Sequence, residues 1–259
     1  PLVLHTFYRE DATALSRWAK DLKYISNSTT FLNMLDTHDG IGLMGVKDIL
    51  PGEDIDFIIQ TAREHGAFVS YKTGKDGKDE PYEINSTWFS AINHDNSDED
   101  IALQVKRFIA SRSISFALRG VPAIYFHGLI GTRNDIETVL KTKSKRDINR
   151  KVVEEESLLE KLENPDSRLS QIARQLSWIG NIRVRQRAFH PNGDQRVLMI
   201  SPDIFAVLRI SPDGDQHILA LTNVTGRVCQ IGIPLSKLDV ENGHWYDLMG
   251  KRGWIAKDG

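Results

Sequence analysis

Apolar residues along this chain fall into short continuous runs that alternate with stretches of helical spacing, and the alternation predicts the elements. Leu2 to Phe7 reads as a buried strand, Ala12 to Leu22 as a helix, and Thr30 to Leu35 as a second buried strand. Ile55, Ile58, Ile59 and Ala62 stand at i, i+3, i+4 and i+7, one apolar helical face that ends near Gly66. The polar, glycine-bearing run from Lys72 to Asp79 predicts an exposed loop or hairpin tip. A short helix over Asn85 to Ile92 and a longer one from Ile101 toward Leu118 follow, and Arg119-Gly-Val-Pro122 stops the second. Val121 to Phe126 reads as a third buried strand, running into the polar loop His127-Gly-Leu-Ile-Gly131. Leu169, Ile172, Leu176 and Ile179 mark a helix extending toward Arg187, after the start signal Asn164-Pro-Asp-Ser167.

Beyond His190-Pro-Asn-Gly-Asp194 the pattern changes to β-rich runs separated by turns: Val197 to Ile200, Phe205 to Ile210, Ile218 to Asn223 and Val228 to Ile233. The chain thus divides into an α/β part, residues 1 to 190, and a small antiparallel β domain, 191 to 259. Helices alternating with buried strands imply a parallel sheet, and the ligands of such sheets and barrels gather at the strands' carboxyl ends. His38, Asp39 and His127 all follow such ends. No repeat of solenoid length and no low-complexity tract interrupts the pattern.

Composition narrows the function classes. The 259 residues are 40% hydrophobic and 26% charged, ordinary for a globular protein with a sizeable core. A formal charge of -2 gives no electrostatic case for a nucleic acid or an acidic membrane surface as partner, and a small ligand fits better. Cys229 is the single cysteine, which excludes an intrachain disulfide and favours a reducing compartment, the cytoplasm by default. No apolar run approaches the roughly 20 residues of a membrane span. Beginning at Pro1 inside an apolar run, without an initiator methionine, the chain reads as a piece of something longer.

The chemistry concentrates at Phe31-Leu-Asn-Met-Leu-Asp-Thr-His-Asp-Gly-Ile-Gly42, where a short apolar run delivers His38 and Asp39 side by side into a glycine-bearing turn. The bland alternative is a turn in which Asp36 and Asp39 only bond to nearby amides. Gly-x-Ser-x-Gly, Walker and zinc signatures are absent, and none of His38, His65, His94 and His127 has a second histidine or cysteine at i+3 or i+4, so neither metal nor cofactor is expected. What remains is a set of carboxylates and arginines on loops: Asp39, Glu80, Glu83, Asp135, Arg133, Arg146 and Arg150. Groups of this kind, with histidine donors and aromatic platforms, bind sugars. Tyr82, Trp88 and Tyr125 are the candidate platforms, with core packing as the alternative, favoured for Tyr125.

Four of these segments resemble the α-amylase superfamily, glycoside hydrolase family thirteen, and within it the sucrose phosphorylase-like branch. Leu35-Asp-Thr-His-Asp-Gly-Ile-Gly42 is similar to that branch's version of the superfamily's fourth signature, after the seventh barrel strand. Tyr82-Glu-Ile-Asn-Ser-Thr87 resembles a loop reading Tyr-Gln-x-Asn-x-Thr. Gly120-Val-Pro-Ala-Ile-Tyr-Phe126 with Gly131-Thr-Arg-Asn-Asp135 resembles the eighth strand and its loop, and Arg146-Asp-Ile-Asn-Arg150 an arginine motif before the last barrel helix. The resemblance covers roughly residues 1 to 190, and the β-rich tail fits the family's C-terminal domain.

The resemblance implies the C-terminal part of a TIM (β/α)8 barrel, about strands 6 to 8 with their helices, followed by the antiparallel β domain. It implies that Asp39 stabilises the transition state, that His38 donates to the same glucose, and that Arg146 anchors that glucose, with Arg150 behind it. Tyr82, Glu83, Glu80, His127, Arg133 and Asp135 fall among the substrate-binding residues. Retaining chemistry needs a nucleophile and a general acid about 5 Å apart. In this family both come from earlier strands, so the chain alone is expected to be inactive and to need the N-terminal remainder of the barrel. The implied reaction is phosphorolysis of an α-glucoside to α-glucose 1-phosphate, with inorganic phosphate and a small carbohydrate as partners and a homodimer left open. Lys72, Lys75, Lys78 and Arg133 are candidate phosphate cations. The Pro-Tyr-Glu pattern at 81 to 83, in place of Tyr-Gln, is similar to branch members acting on glucosylglycerate or glucosylglycerol, which ranks those acceptors above fructose. The alternatives are a hydrolase or transglucosidase on the same scaffold, and a noncatalytic carbohydrate-binding remnant.

Overall fold

A computed structural model describes residues 1–24, 26, 28–238 and 243–255, so the end of the expected β domain, 256–259, and positions 239–242 within it lie outside the described residues. The chain opens with helix α1, Leu2–Arg9, where the sequence predicts a strand. Leu2, Val3, Leu4, His5 and Thr6 are all buried, and so short a buried run does not separate a strand from a buried helix by its period. The helix packs against α2 (Thr13–Asp21) and lines one cavity together with the short strands β1 (Leu32–Asn33) and β2 (Ile41–Gly42). Helix α3 (Gly52–Glu64) buries Ile58, Ile59 and Ala62, the face that its spacing predicts. Strands β3 (Phe68–Thr73) and β4 (Asp79–Asn85) form the hairpin whose tip was expected from the lysine and glycine run.

Helices α4 (Trp88–Ile92) and α5 (Ile101–Ala117) follow, capped by Thr87 and Asp100. Strand β5 is only Val121–Pro122, shorter than the expected run to Phe126. It pairs in parallel with β1, in the register Leu32 to Val121 and Asn33 to Pro122, so two parallel strands stand where three were expected. The backbone then turns at Tyr125 into a short helix, α6 (Phe126–Leu129), so His127 lies in a helix and not in a loop. Helices α7 (Ile136–Thr142) and α8 (Glu155–Glu163), which sequence patterning missed, lead to α9 (Arg168–Val184), capped by the Ser167 of its expected start signal.

Strands β6 (Asp194–Ser201), β7 (Ile204–Ile210) and β8 (His217–Asn223) form an antiparallel sheet in that order. Every residue of β7 is buried: Phe205 and Val207 join the core of the helical part, while Ile204, Ala206, Leu208 and Ile210 join a second cluster on the opposite face. That alternation is the period-2 geometry of a strand buried on both faces. The segment from Val228 to Ile233 is not a strand; Cys229, Ile231 and Ile233 pack on the second cluster without a ladder. A hairpin of β9 (His244–Asp247) and β10 (Arg252–Ile255) completes the described residues.

What positions the site is a second sheet, in the order β2-β4-β3. Strand β2, directly after the His38-Asp39 turn, pairs antiparallel with β4, Ile41 with Ile84 and Gly42 with Glu83. Between Ser70 and Tyr71 the register jumps from Glu83 to Pro81, which makes Tyr82 the extra residue of a β-bulge. Bulges re-aim the side chains beside them. Against β1 and β2 an apolar cavity of about 400 Å³ is lined by residues including Leu2, Trp18, Met34, Ile49 and Trp88.

Candidate functional site

The turn carrying His38 and Asp39 is held from below by Asp36. Its carboxylate takes a bidentate ion pair from Arg112 of α5, Nη1 to Oδ1 at 2.7 Å and Nη2 to Oδ2 at 2.5 Å, with the two side chains 2% and 1% exposed. Fork-to-fork geometry of this kind fixes direction as well as charge. The bland alternative for the Phe31 to Gly42 stretch therefore describes Asp36 in part, since it is structural, although its partner is a distant arginine and not a local amide. Asn149 ties down the top of the turn, its Nδ2 donating to Thr37 O at 2.6 Å and Asp39 O at 3.2 Å.

His38 and Asp39 then project outward. The His38 side chain is 65% exposed, with Nε2 3.7 Å from Asp39 Oδ1. Arg146 Nη1 lies 3.2 Å and Arg150 Nη2 3.1 Å from the same Oδ1, and Arg150 Nε donates to His38 O at 3.0 Å. Both arginines stand on the 3₁₀ turn Lys145–Asn149 and the residue after it. Arg146 turns its other edge to Glu83, donating from Nε to Oε2 at 3.3 Å and from Nη2 to Oε1 at 3.2 Å. Glu83 is buried and also accepts from Gly40 N at 3.2 Å and Asn85 Nδ2 at 2.8 Å. A side chain at Gly40 would run into Ile84 O and the Glu83 side chain, which explains glycine at that position. The Glu83 carboxylate raises the pKa of Arg146 above its ordinary value, with a smaller contribution from Asp39.

Asp39, His38, Glu83 and Arg146 therefore share one cluster. Tyr82, half-buried at the bulge, adds to the electrostatic environment of Arg146. Glu80 stands farther along β4, bridged to Lys47 and, at 3.4 Å, to Lys72. His127 is buried between the Tyr125 and Phe126 rings, with Nδ1 2.9 Å from Thr132 Oγ1. Burial lowers its pKa, against an opposing pull from Asp36. Arg133 and Asp135 have other partners: Arg133 Nε lies 3.3 Å from Asp95, and Asp135 caps α7 through Thr138 N and Oγ1. Of the aromatic platforms, Trp88 is in the core with Nε1 donating to Ser111 at 2.9 Å, and Tyr125 donates its hydroxyl to Asn149 O.

Sequence reasoning missed Arg112, Asn149 and Lys47. Only Arg112 had a signal, since an aspartate in an apolar run needs a buried cation. Among the described residues no group of three histidine, cysteine, aspartate or glutamate side chains could hold a metal, and no helix is long and apolar enough to cross a membrane.

No family model matches the chain. It is similar to glucosylglycerate phosphorylases: 37% identical over 225 residues to that of Spirochaeta thermophila, covering 87% of this chain and 38% of that protein. To that of Allomeiothermus silvanus it is 37% identical over 249 residues, covering 95% and 43%. A sucrose phosphorylase of Streptococcus mutans matches at 29% over 237 residues, covering 89% and 45%. The chain thus spans about two fifths of the length of these curated relatives. Among solved structures, the sucrose 6F-phosphate phosphorylase from Thermoanaerobacter thermosaccharolyticum superposes with a TM-score of 0.68 at 24% identity, covering 86% of this chain and 42% of that one, which shows a shared fold. With the parallel β1-β5 pair and the antiparallel sheet after it, the chain is similar to a C-terminal portion of glucosylglycerate and sucrose phosphorylases and shares the fold of that portion.

Proposed function

We propose that this chain supplies the glucose-binding and acceptor-facing part of an enzyme that cleaves an α-glucoside by phosphorolysis, releasing α-glucose 1-phosphate. The observation that carries the reading is the convergence of His38, Asp39 and Arg146 at one exposed point on a rigid base, in a chain whose relatives include phosphorylases of glucosylglycerate and sucrose. Asp39 accepts from hydroxyls of the glucosyl ring, and this bonding strengthens as positive charge develops at the anomeric centre. His38 donates to the same ring. Arg146 and Arg150 hold the Asp39 carboxylate in orientation.

The nucleophile and general acid come, in this reading, from the rest of the barrel, which the longer relatives have room for. Docking of that remainder is supported by the apolar cavity and by Leu32, Val121 and Phe126, which the parallel pair and its following turn leave exposed. Glycerate is the acceptor proposed first, because glucosylglycerate phosphorylases match at 37% identity over most of the chain. Tyr82 and Glu80, on the hairpin beside the Asp39 cluster, face that acceptor, while His127, Arg133 and Asp135 support the rim through their neighbours. The single cysteine suits a cytoplasmic setting.

The test is to assemble the chain with the barrel remainder and offer candidate α-glucosides with and without phosphate. Phosphate-dependent glucose 1-phosphate is expected; glucose release alone, independent of phosphate, overturns the reading in favour of a hydrolase. Asp39→Asn is expected to lower turnover about 10²-fold or more, as removal of transition-state electrostatics does.

A further inference from the structure

A carboxylate offers about four acceptor positions, two on each oxygen. At Glu83 all four are taken by the protein itself. Oε1 receives Gly40 N–H and Arg146 Nη2–H, each at 3.2 Å, and Oε2 receives Asn85 Nδ2–H at 2.8 Å and Arg146 Nε–H at 3.3 Å. The side chain is 7% exposed, so a sugar or polyol hydroxyl that bonded to it would have to displace one of these donors from a site with little access. Arg146, by contrast, is 42% exposed, and the nitrogen that Glu83 leaves free, Nη1, is the one 3.2 Å from Asp39 Oδ1. The planar guanidinium is thus clamped on one edge and aimed from the other.

We infer that Glu83 is a positioning residue: it clamps the Arg146 guanidinium against Asp39 and is not itself a ligand of the acceptor. The role of Asp39 in this statement rests on the reading under Proposed function, while the clamp does not. Only a carboxylate serves here. Glutamine at 83 has the same shape, but its amide nitrogen is a donor and opposes one N–H of the arginine fork, so the bidentate contact is lost while the Gly40 contact can persist through the amide oxygen. The same substitution separates this role from that of an acceptor ligand, because a ligand acts on acceptor affinity and a clamp acts on the geometry of the glucosyl site.

Two measurements on Glu83→Gln decide it. In the chain itself, labelled with 15N-arginine, hydrogen exchange of the Arg146 side-chain Nε–H is followed by NMR, and at least about a 10-fold acceleration over the wild-type chain is expected. Unchanged exchange overturns the clamp, whatever the activity. In the assembled enzyme, synthesis from glucose 1-phosphate and glycerate is expected to lose about 10- to 100-fold in kcat with the acceptor KM within about two-fold. An acceptor KM raised about 10-fold at unchanged kcat overturns the inference and makes Glu83 a ligand. Arg146→Lys, which keeps the charge but not the fork, is expected to reproduce the kcat loss, and adding Glu83→Gln to it should then cost little more. Additive losses in that pair speak against the clamp. Accelerated exchange in a system where no variant catalyses phosphorolysis sinks the proposed function and leaves the clamp standing.

Discussion

The buried pair between Asp36 and Arg112 is the base on which the site loop rests, and breaking it should be costly. Both side chains are at most 2% exposed, so neither charge can turn to water when its partner is lost. Asp36→Ala removes both short hydrogen bonds and strands a guanidinium beside Trp88 and Phe108, whose rings lie 5.8 and 5.0 Å from Arg112 Cζ. Removing one member of such a pair typically costs about 3 to 5 kcal/mol. For a chain of this size that corresponds to a fall in Tm of roughly 6 to 20 °C. The Asp36→Leu/Arg112→Met double variant, which fills the same space without charge, is expected to recover most of the loss, because the large penalty belongs to the unpaired charge. Differential scanning calorimetry of the chain and its variants reads all of these. A loss below about 1 kcal/mol for Asp36→Ala, or a double variant no better than the single one, would refute the reasoning. Gly128→Ala attacks the same place from above, since its methyl would land on Arg112 Nη2 and Asp36 Oδ2, and about 1 to 3 kcal/mol is expected from that overpacking.

Burial lowers the pKa of His65 and of His127, so the unfolded chain binds more protons than the folded one below the ordinary histidine value near 6.5. Stability should be fully present above that value and fall as the pH drops through the window beneath it; Tm measured from pH 7.5 to 5.5 should decline, less steeply in His65→Gln and His127→Gln. A flat profile would contradict the burial of these rings. Gly40→Ala should disturb the site more than its size suggests, because the methyl meets Ile84 O and Glu83; accelerated exchange of the β2 and β4 amides is the readout, and unaltered exchange would show that the turn has slack. Glu80→Gln, at a partly exposed bridge to Lys47 and Lys72, should leave thermal stability nearly unchanged, and a clear drop in Tm would show that the bridge is more than a surface pair.

Local physics was enough to read several parts of this protein. Helical periodicity marked α3, α5 and α9 because each presents one apolar face to a core, and Ser167 marked the start of α9 because an exposed N-terminal amide needs an acceptor. The outward placement of His38 and Asp39 was legible from the glycine-bearing turn they stand in, although Asp36 in the same stretch stays buried against Arg112. Arg146 was one of several loop arginines, and only its motif singled it out. The strand expected over Leu2 to Phe7 was wrong: six residues are too few to separate a strand from a buried helix, and the helix is decided by packing against α2, α3 and α4. The stretch from Val121 to Phe126 is cut short because strand pairing needs a partner, and β1 ends after Asn33.

The sequence by itself determined which residues are polar at the strand end, where the long helices run, and that the last quarter of the chain is β-rich, because these follow from contacts between near neighbours. Tertiary structure alone decided that Asp36 pairs with an arginine 76 residues away and that Glu83, 43 residues beyond Gly40, spends its whole carboxylate on Gly40, Asn85 and Arg146. A charged side chain announces in sequence only that it needs a partner. Which partner it finds, and whether any lone pair is left for a substrate, depends on how the folded chain brings distant segments together.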